Sequence, residues 1–117
     1  MTPSDQLLIR NLLEVFDERD ADKRAQVIAA IYAPDATFYE PEGVSRGHRE
    51  IGARVAALLA DAPGFIFRPT SELTTNHDLQ RLSWRFGPEG SDPVATGTDI
   101  ALTAEGRIVS LYTFLGA

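Results

Sequence analysis

The apolar residues of this chain change their period once, near Phe65, and that change limits what the chain can fold into. Before it, Leu8, Leu12, Val15 and Phe16, then Val27, Ile28, Ile31 and Tyr32, then Ile51, Val55, Leu58 and Leu59 recur at helical spacing. Three helices follow from that, each with one buried face. The first is expected to start at a capping box of Thr2, Pro3 and Asp5 and to run to about Arg19. The second follows the break "DERDAD", with Asp20 or Asp22 as its cap, and stops before Pro34. Ala36 to Glu40 reads as a brief strand, and the third helix ends at "DAPG", Asp61 to Gly64.

After Phe65 the period is two. "FIFRPTSEL" is a strand with Pro69 inside it, the mark of an edge or a bulge. "DLQRLSWRF" puts Leu82, Trp84 and Phe86 on one face and Arg81, Ser83 and Arg85 on the other. The turn cluster "GPEGSDP" leads to "VATGTDIAL" and "RIVSLYTFL", two strands joined by a tight turn at Ala104 to Gly106. Helices first and a mostly antiparallel sheet after them make an α+β domain, one unit over residues 1–117. Three helices cover one face of a curved sheet and leave a pocket between the layers. The other face also needs cover, which predicts a homodimer through the sheet.

The chemistry that composition excludes is broad. A net charge of −6, with the Lys and Arg residues scattered singly among acids, argues against nucleic acid as a partner. No apolar stretch reaches the roughly 20 residues that cross a membrane, and "MTPSDQLLIR" lacks the basic and apolar regions of a secretory signal. Zero cysteines exclude a disulfide framework and a thiolate metal site, and fit a cytoplasmic location. "GVSRG", Gly43 to Gly47, matches a nucleophile elbow, but an elbow needs a parallel α/β sheet that this order of elements does not build. It is read as a turn feeding the third helix. His48 and His77 have no ligand spacing and read as exposed polar residues near turns, so no metal is expected. What remains is isolated acids beside apolar side chains. Foremost is Glu40, which shares a strand face with Phe38 and, in a dry pocket, would become a usable base.

"YAPDATFYEPEG", followed by "RGHREIGARV" and a C-terminal "GTDIALTAEGRIVSLYTFLG", resembles the NTF2-like superfamily, and within it the SnoaL-like polyketide cyclases and ketosteroid isomerases. The resemblance covers essentially the whole chain. It implies a cone: a strongly bent sheet wrapped around a long helix, with a cavity between them. In the isomerases the acid before Pro at the "YEP" position is the proton-shuttling base, which maps to Glu40, and Tyr32 matches a tyrosine of some isomerases. Their oxyanion tyrosine maps to Phe16 or Leu12, neither of which donates a hydrogen bond. For the second donor two arguments disagree. Alternation with Ile100 and Leu102 turns Thr98 into the pocket and Asp99 away, whereas the cyclase-like "G-x-D-I" makes Asp99 the counterpart of the cyclases' acid. The acids of the epoxide-hydrolase branch are missing at Ser83 and Thr113, beside Arg81.

The resemblance therefore implies a pocket for a small hydrophobic carbonyl compound, with Glu40 and Asp99 as candidate catalytic groups and no cofactor. The expected wall is Leu82, Trp84, Ile100, Leu111, Thr113 and Leu115, with Phe16 and Tyr32 from the helices. Oxyanion stabilisation would come from Thr98, Thr113, His77 or a trapped water. The alternative is a non-catalytic binding or dimerisation module, favoured if Arg46 or Arg49 neutralises Glu40.

Overall fold

The computed structural model describes residues 6–116, so the expected cap at Thr2, Pro3 and Asp5 lies outside the described residues. The first helix, α1 (Leu7–Arg10), widens into a π-helical segment, Asn11–Phe16. It stops there, short of Arg19, because the next residues are used for tertiary ties. Asp17 accepts from the Phe67 amide at 2.9 Å and pairs with Arg68 at 3.0 Å. Arg19 donates to the carbonyls of Leu59, Ala62 and Phe65 at 2.7–2.9 Å, satisfying the carbonyls around the end of the third helix. Asp20, one of the two candidate caps, accepts from the amides of Asp22 and Lys23 and opens α2 (Ala21–Ile31).

Tyr32 is not the last turn of that helix. It begins β1 (Tyr32–Glu40), because the residue before Pro34 and those around it favour extended backbone. Pro41 and Glu42 form a two-residue hairpin to β2 (Gly43–Arg46), with Glu40 opposite Gly43. The stretch read as a plain turn is thus an edge strand. Ser45 is buried in an antiparallel pair opposite Phe38, a setting unlike a nucleophile elbow. Gly47, at φ +78°, turns the chain into α3 (Gly47–Ala60).

The remaining strands are β3 (Phe65–Pro69), β4 (Thr74–Asn76), β5 (Leu79–Pro88), β6 (Ala95–Ala104) and β7 (Arg107–Leu115). "FIFRPTSEL" is not continuous. It leaves the sheet at Pro69, and the backbone of Ser83 is satisfied there by the Ser71 hydroxyl and the Thr70 amide. The sheet order is β2-β1-β7-β6-β5-β3, with β4 also on β5; β1 and β7 run parallel and the other pairs antiparallel. Buried Leu8, Leu12, Ile28, Ile51, Val55, Leu82 and Leu111 form one core between the helices and a single sheet face. Residues 6–116 contain no helix long and apolar enough to cross a membrane.

Candidate active site

At one end of this core the layers separate around a cavity of about 210 Å³. Its wall is aromatic. Phe16 meets Phe38 and Phe67 edge-on, Phe67 meets Trp84 edge-on, and Phe67 stacks on Phe86 with centroids 4.0 Å apart. These contacts bring together rings from the first helix and from three strands, β1, β3 and β5.

Asp99 lies on this wall. Gly97, Asp99 and Ala101 are the inward residues of β6, while Thr98, Ile100 and Leu102 face the opposite side. Asp99, and not Thr98, therefore faces the cavity, and Trp84 packs directly over its inward neighbour Gly97. The carboxylate of Asp99 is 4% exposed, and its Oδ1 accepts from Trp84 Nε1 at 3.0 Å and from Thr113 Oγ1 at 2.7 Å. Thr113 sits directly opposite on β7, which fixes that bond by register. Burial pushes the Asp99 carboxyl up to about 6, the two hydrogen bonds opposing but not cancelling it. Oδ2 has no hydrogen-bond partner among the described residues.

Glu40 lines the same cavity, near its mouth, but it is held. Arg54 Nε donates to Oε2 at 2.6 Å and Nη2 to Oε1 at 3.2 Å, and the same Nη2 reaches Glu42 at 2.9 Å. The neutralising cation is thus Arg54, from the middle of α3, and neither Arg46 nor Arg49. Arg54 Nη1 makes no hydrogen bond to a described residue.

Of the other expected wall residues, Phe16, Trp84, Thr113 and Leu115 line the cavity. Tyr32, Leu82 and Leu111 are fully buried core residues outside it. The Tyr32 hydroxyl donates to Asn11 Oδ1, and burial, then the charge of Asp99, pushes its pKa well up. Thr98 and Ile100 lie on the outer sheet face, Thr98 bonded to Ser83. His77 is exposed in the left-handed turn between β4 and β5 and does not line the cavity. His48 is not a simple exposed residue either: its Nε2 donates to the carbonyls of Tyr32 and Ala33 at 2.9 and 3.1 Å. Among the described residues no three acids or histidines are grouped to hold a metal ion.

The model of the SnoaL-like domain matches residues 9–111. The chain belongs to the SnoaL-like domain family. Its fold is NTF2-like. A candidate isomerase of the SnoaL-like family from Agrobacterium tumefaciens str. C58 shares 26% identity over the whole of both chains, with a TM-score of 0.89. A candidate polyketide cyclase from Sinorhizobium meliloti shares 20%, covering 97% of this chain and all of its own, at 0.73. A candidate ketosteroid isomerase from Kribbella flavida DSM 17836 shares 14%, over 98% and 78%, at 0.72. No curated protein matches the chain. Within this SnoaL-like domain, Arg54, Phe38, Phe67 and Phe86 are among the lining residues that sequence reasoning missed. Arg54 left one signal, a lone cation on the apolar flank of α3, four residues before Leu58.

Proposed function

We propose that the cavity is the active site of a cofactor-independent isomerase- or cyclase-type enzyme that moves a proton next to a carbonyl. The observation that carries this reading is Asp99: a buried carboxyl on an apolar wall, with one oxygen pinned and its pKa near 6. Asp99 takes the base role that the sequence suggested for Glu40, whose two oxygens are engaged by Arg54. In the step, the substrate's α-C–H bond breaks, its proton passes to Asp99 and the electron pair moves onto the carbonyl oxygen. Arg54 Nη1 donates to that oxyanion; the proton then returns from Asp99 to another carbon. The cavity of about 210 Å³ suits a one-ring substrate better than a fused four-ring one, given that about 150 Å³ holds benzene.

The test is the ultraviolet change as cyclohex-3-enone becomes the conjugated ketone, followed from pH 4 to 9. Asp99 must be ionised to act as a base, so kcat/KM is expected to rise with pH and level off above an inflection near 6. Glu40→Gln should retain turnover within about tenfold, since it removes one charged partner of Arg54 and not the base. Loss of turnover in Glu40→Gln alone would return the base to Glu40.

A second reading, a binding module without chemistry, has one observation in its favour. The Trp84 and Thr113 donors are both spent on Asp99, so neither is free for a ligand oxygen. A rate at background across the whole pH range would support it.

The same proposal includes a homodimer through the outer sheet face. Val44, Tyr39, Tyr112 and Ile100 stand in one cross-strand row, with the two tyrosine rings stacked 4.6 Å apart. Phe114 on that face is 56% exposed and Val44 52%, more apolar surface than one copy covers. Sedimentation velocity should find twice the 12.8 kDa chain mass, and Phe114→Glu should halve it. A wild-type monomer at 100 μM would remove the dimer from the proposal.

A further inference from the structure

A second site lies on the other side of α3. Gly52 and Ala56 are two positions from Arg54 and Leu58, which places the two pairs on opposite helix faces. There α2 and α3 leave a groove of about 480 Å³ with an apolar floor of Ala21, Ala25, Ile28, Gly52 and Ala56. Its polar lining is entirely basic: Arg24, His48 and Arg49.

We infer that this groove binds a small monocarboxylate with a short apolar body. Arg24 is the reason. It is only 5% exposed, yet it forms no ion pair among the described residues. Its single hydrogen bond among the described residues runs from Nη1 to the Glu18 carbonyl at 2.6 Å; Nε and Nη2 have no partner there and are not wholly shielded from solvent. Buried charges in folded proteins are almost always paired, so an arginine in this state has a counter-ion to gain. The acids nearby are committed elsewhere. Asp20, which feels the charge of Arg24, caps α2 through the amides of Asp22 and Lys23. Glu50 turns back to the Arg46 amide at 2.9 Å.

The donors around the groove suit one carboxylate. Arg24 brings a planar fork with unused N–H groups, and Arg49 is an exposed cation on the first turn of α3. His48 spends its Nε2–H on two carbonyls, so Nδ1 of the neutral ring is an acceptor and the donors to the carboxylate are the two arginines. Inorganic phosphate would satisfy the cations but gain nothing from the floor of small apolar side chains, whereas an alkyl tail covers it. This assignment is independent of the chemistry in the central cavity.

The probes are hexanoate, hexanol and acetate, titrated calorimetrically into the full chain. Hexanoate should bind at least about tenfold more tightly than either control, since it alone combines the charge with the buried methylenes. Arg24→Met should abolish that preference, and in case that variant does not fold, Gly52→Leu supplies a second test. A Cβ at position 52 would meet only Ile28 Cδ1, at an ordinary 3.6 Å, so the helix accepts it while the side chain fills the groove. Gly52→Leu should fold with at least wild-type helicity and lose hexanoate binding by about tenfold or more. Equal binding of hexanoate and hexanol would overturn the inference. So would undiminished hexanoate affinity in folded Gly52→Leu, which would put the ligand in the central cavity or elsewhere.

Discussion

Asp99→Asn should lower kcat/KM for ketone isomerisation by about 10²–10⁴ at pH 8 while making the protein harder to unfold at the same pH. The two effects share one cause. Asparagine has the shape of aspartate and can still accept from Trp84 and Thr113, but it cannot take a proton. The stability effect follows from the direction of the pKa shift. Burial raises the folded-state value of Asp99 from 3.8 to about 6, so between those two pH values the native state holds a proton that the unfolded state has released. Stability must then fall as pH rises through that window, and above it the ionised side chain costs about 3 kcal/mol. The asparagine removes that cost, less about 1–2 kcal/mol if its new N–H groups find no acceptor. Urea melts of both proteins should therefore nearly coincide at pH 4 and diverge toward pH 8, the variant being the more stable. Parallel melting curves across pH would show that Asp99 is not held above its ordinary range. A fully active variant would show that it is not the base.

How much of this was legible in the sequence depends on the range of each interaction. The period switch at Phe65 sufficed for the layers, because helix and strand spacing are local properties. The inward face of β6 was misjudged because both sheet faces carry apolar residues. Ile100 belongs to the outer row with Tyr112, and the true inner residues, Gly97 and Ala101, are small. Hydrophobicity along one strand cannot separate two such faces; the resemblance to the cyclases, through "G-x-D-I", pointed Asp99 the right way. Glu40 was placed correctly on the face of Phe38, yet its state is decided by Arg54, which reaches it from a helix fourteen residues on. No local pattern reveals such a pair. The strands β2 and β4 were missed for a simpler reason: with four and three residues, neither is long enough to display a period.

Gly97→Ala should destabilise the fold by about 2–4 kcal/mol, opposite in sign to the small gain expected where an alanine fits. Gly97 is not at a positive φ, so its backbone conformation is no obstacle; the space is. A Cβ there would lie 2.4 Å from Trp84 Cζ2 and 2.8 Å from both Trp84 Cε2 and the Phe114 carbonyl oxygen. That oxygen belongs to the β7 ladder and cannot yield, so the indole must. Moving it disturbs the edge contact with Phe67, which is itself stacked on Phe86, and draws Nε1 from Asp99. The hydrogen bond lost is one of the two that hold the Asp99 pKa down, so the inflection in the pH–rate profile should move above its wild-type position near 6. Strain and site chemistry are thus read by two separate measurements, urea unfolding and the pH profile. A double-mutant cycle with Trp84→Phe isolates the indole's share of the clash, because the smaller ring removes the two indole atoms that the new methyl meets and leaves the Phe114 oxygen in place. The combined variant should be more stable than the sum of its single changes requires, by about 1 kcal/mol or more. Strict additivity would mean that the two side chains do not compete for the same space, and the packing of Trp84 over Gly97 would not be what sets the position of Asp99.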